Sequence, residues 1–311
     1  MSVRVLVTGA TGSLGTHVVR AFRARGAEVV AISRGGGRVD DVVVHSVDLA
    51  ESAHTLDALS AARIRCDCVV HLAAALPAGP SAPAMQASFD RTTAIDSTVA
   101  AFCRATACSL VYLSGTAVYG RMTGPPPVTE ERAVAPDTPY TAAKAAGELS
   151  SLEVHAATGL PVACLRVSAP YGPGLRRPTV IEMFLRAALS SNELLVHGSG
   201  ERGQDFTFAG DVAHAAVRAV EVGASGIFNI ATGEPVTMRR LAELAREVVP
   251  GSRSRIAVGG FPDPEEGFFP VIDVAKAHEI LGWQAQTTLV DGLRVTLDAI
   301  EARAASTTLR A

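Results

Sequence analysis

Tyr140 and Lys144 stand four residues apart in PYTAAKAAGE (139–148). On a helix beginning after Pro139 this spacing puts a phenol and an ammonium on one face, within reach of a common ligand. A free phenol titrates near about 10, and an adjacent ammonium favours the phenolate, so the pair can act as general acid or base on a carbonyl or carbinol. Such a pair also arises by chance in many helices, and its meaning depends on what lies upstream.

Upstream lies TGATGSLG (8–15), between an apolar run that reads as a strand and a run with helical periodicity. Gly9 falls at the tight turn, Gly12 where backbone must approach a pyrophosphate, and Gly15 where the helix packs on the strand, with Thr8, Thr11, Ser13 and Leu14 completing the loop. The helix N-terminus would face the phosphates with its partial positive charge. Dinucleotide binding is the expectation. The second strand ends AISRGGG, with Ser33 where an acid would receive the adenosine ribose, and Arg34 after it. A hydroxyl and a cation there favour the 2′-phosphate of NADP over NAD. Asp48 and Leu49 follow the next apolar run; Asp48 is expected either at the adenine or as a strand-end cap.

The elements that carry these residues alternate strand and helix: 3–8, 12–26, 27–33, 66–74, a helix around 84–107, and 109–115. The fold class is α/β, a doubly wound parallel sheet (Rossmann) with a second, smaller α/β substrate lobe. The expected division is 1–168 plus about 204–232 for the cofactor domain, and 169–203 with 233–311 for the substrate lobe. A long Pro-rich loop spans 122–139, and the chain from about Ala302 reads as a frayed tail. Over 311 residues, 28 basic against 31 acidic side chains leave a net charge of −3, which disfavours nucleic acid and anionic lipid as partners. There is no membrane-spanning run, and the N-terminus enters a strand pattern at once, so a cytoplasmic protein is expected. Five cysteines, odd in number and set in apolar stretches, read as buried thiols, with no metal site.

Together TGATGSLG, VVHLAA (69–74), SGTAVYG (114–120), YTAAK (140–144), PYGPG (170–174) and LGWQAQTTLVDGL (281–293) resemble an extended short-chain dehydrogenase/reductase of the nucleotide-sugar epimerase/dehydratase group. The resemblance covers nearly the whole chain. It implies bound NAD(P), a Ser/Thr-Tyr-Lys catalytic set and a homodimer built through a helix bundle. By motif, Tyr140 is the acid/base, Lys144 binds the nicotinamide ribose and lowers the Tyr pKa, Thr8 to Gly15 hold the pyrophosphate, and Leu72, Ala73 and Ala74 line the cofactor.

Departures from the pattern are informative. The usual hydroxyl position is Gly115, flanked by Ser114 and Thr116, and Thr116 is the better candidate to orient a substrate oxygen. Ala169 replaces an Asn, Gln204 replaces an Arg, and 261–270 carries three acids and no base where another Arg is expected. Arg176, Arg177 and Arg202 are the remaining candidates for an anionic substrate. The leading expectation is an NADP-dependent oxidoreductase reducing a keto group on a sugar or sugar nucleotide. The alternative is an NAD-dependent nucleotide-sugar epimerase or dehydratase holding its cofactor tightly, and a third reading is a cofactor-sensing binding protein. His71 reads as a satisfied strand histidine, Asp211 as a helix N-cap, and Glu148 as a helix-surface or structural partner of Lys144.

Overall fold

The computed structural model describes residues 3–51, 65–122, 126–175 and 179–308. Its strands, in chain order, are β1 (Arg4–Thr8), β2 (Glu28–Ser33), β3 (Gly37–Val39), β4 (Val42–Ser46), β5 (Cys68–His71), β6 (Ser109–Gly115), β7 (Val162–Val167), β8 (Pro170–Tyr171), β9 (Leu194–Val196), β10 (Gly203–Gln204), β11 (Thr207–Phe208), β12 (Gly226–Ile230), β13 (Val236–Thr237) and β14 (Ile256–Val258). The described α-helices are α1 (Gly15–Ala24), α2 (Ala82–Thr106), α3 (Pro139–Thr158), α4 (Val180–Leu189), α5 (Ala209–Glu221), α6 (Met238–Val248) and α7 (Leu289–Thr308). Helix α7 runs on to Thr308, so the tail expected to fray from Ala302 is helical instead.

Eight strands form one sheet in the order β12-β7-β6-β5-β1-β2-β4-β3, parallel except for the β3–β4 pair at one edge. The order departs in both directions from β1, as right-handed crossovers on alternate faces require. The central strands read VLVT, CVVH and VACLRV because both sheet faces are covered and each residue must be buried. Helices α1 and α5 close one face over Val18, Val19, Phe22, Val212 and Ala216. On the opposite face, Ile95, Val99, Phe102 and Val154 of α2 and α3 pack on Leu6, Ile32 and Leu110.

A second apolar core joins Ile181, Leu185, Leu241, Ala245, Leu293 and Leu297 of α4, α6 and α7 to Tyr171 and Leu194. The strands around it are short pairs: β8 with β11, β9 with β14, and β10 with β13. Between these pieces the chain returns to the sheet through α5 and adds β12 beside β7. Asp211 lies inside the first turn of α5, which begins at Ala209, so it is not the expected N-cap. Its carboxylate accepts the Thr287 amide at 3.0 Å instead.

Candidate cofactor and catalytic site

The turn after β1 closes by a hydrogen bond from the Gly12 amide to the Gly9 carbonyl, 2.8 Å. Gly9 has φ +65°, and a Cβ there would lie 2.9 Å from the Ala73 amide nitrogen. A Cβ on Gly15 would stand 2.2 Å from the Gly9 carbonyl oxygen. Only glycines permit this approach of turn, helix and neighbouring strand end. The Leu72 and Ala73 amides both donate to Thr8 Oγ1 at 3.2 Å, which holds the 72–74 stretch beside the turn. Helix α1 has Leu14 as N-cap, with no side-chain cap bond and no acid in its first turn. Its N-terminal amides and dipole would favour an anion in front of it. These residues fit the pyrophosphate of a dinucleotide.

At the end of β2, Ser33 is buried and donates to the Gly36 carbonyl at 3.2 Å, while Arg34 is exposed. Ser46 Oγ donates to the Arg34 carbonyl, 2.9 Å, fixing the backbone beneath that guanidinium. Asp48 accepts the Ala50 amide at 3.1 Å and pairs with Arg91. Burial raises its carboxyl, but the Ala50 amide, Arg91 and Arg34 together hold it below the usual range. Its charge is thus spent on protein groups, and the neighbouring Leu49 is buried in the core.

Thr138 and Thr141 form a reciprocal cap on α3, the Thr138 hydroxyl accepting the Thr141 amide at 3.1 Å and Thr141 Oγ1 accepting the Thr138 amide at 3.0 Å. With Pro139 at the first position, this fixes Tyr140 in the opening turn. Burial and the negative charge of Asp96 push the Tyr140 phenol up to about 12. Lys144, one turn on, is 6% exposed, and its ammonium lies 3.9 Å from the centroid of the Tyr112 ring. Burial lowers its pKa, opposed by Asp96, Glu148 and Cys164. Burial thus favours the neutral form of both side chains.

Gly115 ends β6 and Thr116 opens the 3₁₀ turn Thr116–Tyr119, 5% exposed. Ser114 goes elsewhere: its hydroxyl donates to Glu148 Oε1 at 2.5 Å. In this arrangement the one proton of Ser114 is given to a carboxylate, which leaves Thr116 better placed to donate to a substrate oxygen. Glu148 is not on the helix surface. It receives Arg166 Nε at 3.0 Å and Nη2 at 2.7 Å in a buried two-pronged pair, and the guanidinium stacks on Tyr119, 4.6 Å from the ring centroid.

Toward the second core, a cavity of about 230 Å³ is lined by Pro170, Tyr171, Val180, Arg202, Gln204 and Phe206 among others. Arg202 and Gln204 thus meet at one cavity, whereas Arg176 and Arg177 lie outside the described residues. Arg202 is already engaged by Asp263 at 2.8 Å and Glu265 at 2.5 Å, two of the acids in 261–270. Among the described residues no cluster of His, Cys, Asp and Glu is arranged to hold a metal ion, and the five cysteines are free thiols.

Sequence reasoning missed Asp96 and Tyr112, which sit directly beneath Lys144. One signal was available: the chain has 26 arginines but only two lysines, Lys144 and Lys276. A lysine kept where arginine is the rule marks a position needing a compact ammonium that can titrate.

Comparison with known proteins bears on this arrangement of glycine turn, Tyr140 and Lys144. Residues 5–231 match the family described as NAD dependent epimerase/dehydratase. The chain belongs to the NAD-dependent epimerase/dehydratase family. It is accordingly an NAD(P)-dependent enzyme of the short-chain dehydrogenase/reductase type. Within the family it is similar to a UDP-glucose 4-epimerase of Mycolicibacterium smegmatis, 29% identical over 321 residues, covering 95% of this chain and 98% of that one. It is also similar to UDP-glucuronic acid decarboxylase 4 of Arabidopsis thaliana, 25% identical over 305 residues, of which it spans 67% of the length. Among solved structures, a Thermus thermophilus UDP-glucose 4-epimerase in complex with NAD superimposes with a TM-score of 0.81 at 26% identity, covering 96% of this chain and 99% of that one. No described helix is long and apolar enough to cross a membrane.

Proposed function

We propose that this member of the family is an NADP-dependent oxidoreductase that reduces a keto group on a sugar, nucleotide-linked or free, with Tyr140 donating the proton. The observation that carries the reading is the end of β2, where buried Ser33 and exposed Arg34 replace the carboxylate that would repel a 2′-phosphate. When bound, the nicotinamide supplies the hydride. The remaining work falls to the chain's own residues. Tyr140, a neutral phenol at working pH, hands its proton to the oxygen that becomes an alkoxide, and Lys144 one turn away stabilises the phenolate left behind. Thr116 orients the same oxygen. Arg202 and Gln204 address the far end of the substrate in the cavity beside Tyr171. The cofactor half comprises 1–168 with about 204–232, the remainder being the substrate lobe. We further propose a homodimer through α2 and α3, where Leu149 stands 72% exposed on α3.

A second reading, a nucleotide-sugar epimerase or dehydratase that recycles tightly held NAD, is favoured by the similarity to proteins named as UDP-glucose 4-epimerases. A thermal-shift matrix of NADPH and NADH crossed with UDP, TDP and GDP separates the two, because a ligand binding the native state raises its stability by mass action. Preferential stabilisation by NADPH, with net absorbance change at 340 nm during turnover of a keto sugar, supports the reductase. Preference for NADH, additive shifts with one nucleoside diphosphate and no net absorbance change overturn it.

A further inference from the structure

Beneath Lys144 runs a buried file of polar side chains that acid/base chemistry at Tyr140 does not use. The Tyr112 hydroxyl donates to Asp96 Oδ2 at 2.8 Å, Asp96 Oδ1 meets His71 Nε2 at 2.9 Å, and His71 Nδ1 meets Thr8 Oγ1 at 2.6 Å. Thr8 Oγ1 already accepts the Leu72 and Ala73 amides, so it donates to Nδ1, and His71 carries its proton on Nε2 and donates it to Asp96. Each member is then satisfied with Asp96 ionised. Thr8, His71, Asp96 and Tyr112 are all 4% exposed or less. The file begins at the phosphate turn and ends under the Lys144 ammonium, on the face of the Tyr112 ring.

Helix α3 is cut to fit this arrangement. Gly147, three residues after Lys144, lies where a Cβ would be 2.1 Å from the Tyr112 hydroxyl and 2.2 Å from Asp96 Oδ2. A glycine inside a helix costs stability, and here it makes room for the phenol–carboxylate pair.

We propose that Asp96 and Tyr112 are positioning residues for Lys144, seating its ammonium on the Tyr112 ring and tying that seat to the Thr8–Gly9 turn. The inference rests on the reading of Tyr140 and Lys144 as the acid/base pair. The groups facing Lys144 are Asp96 from α2, Tyr112 from β6, Cys164 from β7 and, on its own helix, Glu148. Of these, Asp96 is the anion that also acts on Tyr140. Its removal takes away a charge that favours the ammonium, so Lys144 would release its proton at lower pH.

The chain has only two lysines, so lysine labelled with ¹³C at Cε gives two NMR signals in the full-length protein, assigned with Lys276→Arg. In the wild type the Lys144 methylene is expected to be displaced upfield by the ring beneath it. Tyr112→Leu, which removes the ring, and Asp96→Asn, which unseats it, are expected to collapse that displacement and to weaken NADPH binding, read by nucleotide fluorescence, by about tenfold. Asp96→Asn alone is also expected to move the Lys144 titration to lower pH. If Asp96→Asn does not fold, Tyr112→Leu decides the first two readouts. A Lys144 signal as displaced as the wild type's, or unchanged NADPH affinity, overturns the inference. The underlying reading fails separately: Tyr140→Phe retaining hydride transfer ends the acid/base assignment without touching the Lys144 signals.

Discussion

The Ser114 hydroxyl donates to Glu148 Oε1 at 2.5 Å, so a side chain at the end of β6 is bound to the helix that carries Tyr140 and Lys144. Thr116, two residues on, is the hydroxyl we propose for the substrate oxygen. Thr116→Val is expected to lower kcat on the order of a hundredfold, the scale of losing one donor to a developing oxyanion. Ser114→Ala should slow turnover only a few-fold while lowering stability by about 1–3 kcal/mol. Steady-state kinetics and urea unfolding of both variants check this. Equal effects on kcat would refute the assignment, and if neither variant loses more than a few-fold, no hydroxyl takes part.

The proposed cofactor preference turns on Arg34. Arg34→Ala should weaken NADPH about tenfold or more, the worth of a charge-assisted contact to phosphate, and leave NADH little changed. Titration of both nucleotides by fluorescence reads the ratio. A preference for NADH in the wild type that Arg34→Ala does not diminish would sink the NADP assignment.

Glu148 and Arg166 are buried as a pair, and each is tolerated only because of the other. Arg166 is raised well above its ordinary value despite burial, by its bonds to Glu148. Glu148→Gln leaves a buried guanidinium without its counter-charge and should cost about 3–5 kcal/mol, whereas Glu148→Met with Arg166→Met should recover much of the loss. Chemical denaturation of the single and double variants measures the difference.

Tyrosines set the alkaline limit. Tyr112, Tyr119, Tyr140 and Tyr171 all titrate above the ordinary phenol value, in each case chiefly because of burial. Above pH about 10 the unfolded chain releases these protons while the folded chain keeps them, so stability falls as pH rises, by up to about 1.4 kcal/mol per pH unit for each phenol. Because burial also raises the thiols of Cys68, Cys103 and Cys164, stability should be flat only up to pH about 8, decline from there and drop steeply above about 10. Thermal unfolding followed from neutral to alkaline pH tests this, and Tyr140→Phe should soften the drop.

What the amino-acid sequence made legible was what lies close together along it. Gly9, Gly12 and Gly15 fall within seven residues, so strand, turn and helix could be read at once, and Tyr140 and Lys144 share one helix face. Strands β1, β2, β5 and β6 announced themselves as apolar runs between helical patterns. The file from Thr8 to Tyr112 was hidden because its members come from four separate elements, and the motifs around Thr8 and His71 say nothing of their contact with Asp96 and Tyr112. Ser114 and Thr116 could not be told apart from periodicity, since the chain leaves the strand for a 3₁₀ turn between them. The pairing of Arg202 with Asp263 and Glu265 joins residues some sixty positions apart, and acids in 261–270 showed only as a missing base. In the second core, strands of two or three residues are too short to register as patterns.

Those two carboxylates change what recognition at the cavity means. An anion arriving at Arg202 does not meet an open cation; it enters a competition with two tethered rivals whose local concentration is set by the fold and cannot be diluted away. Occupancy there would be a swap in which the ligand takes the place of Asp263 and Glu265. Weak or singly charged anions gain little from such an exchange. If Arg202 holds part of an anionic substrate, as we propose, the pairing with Asp263 and Glu265 would act as a threshold that only a ligand of sufficient charge, or of sufficient contact elsewhere in the cavity, would exceed.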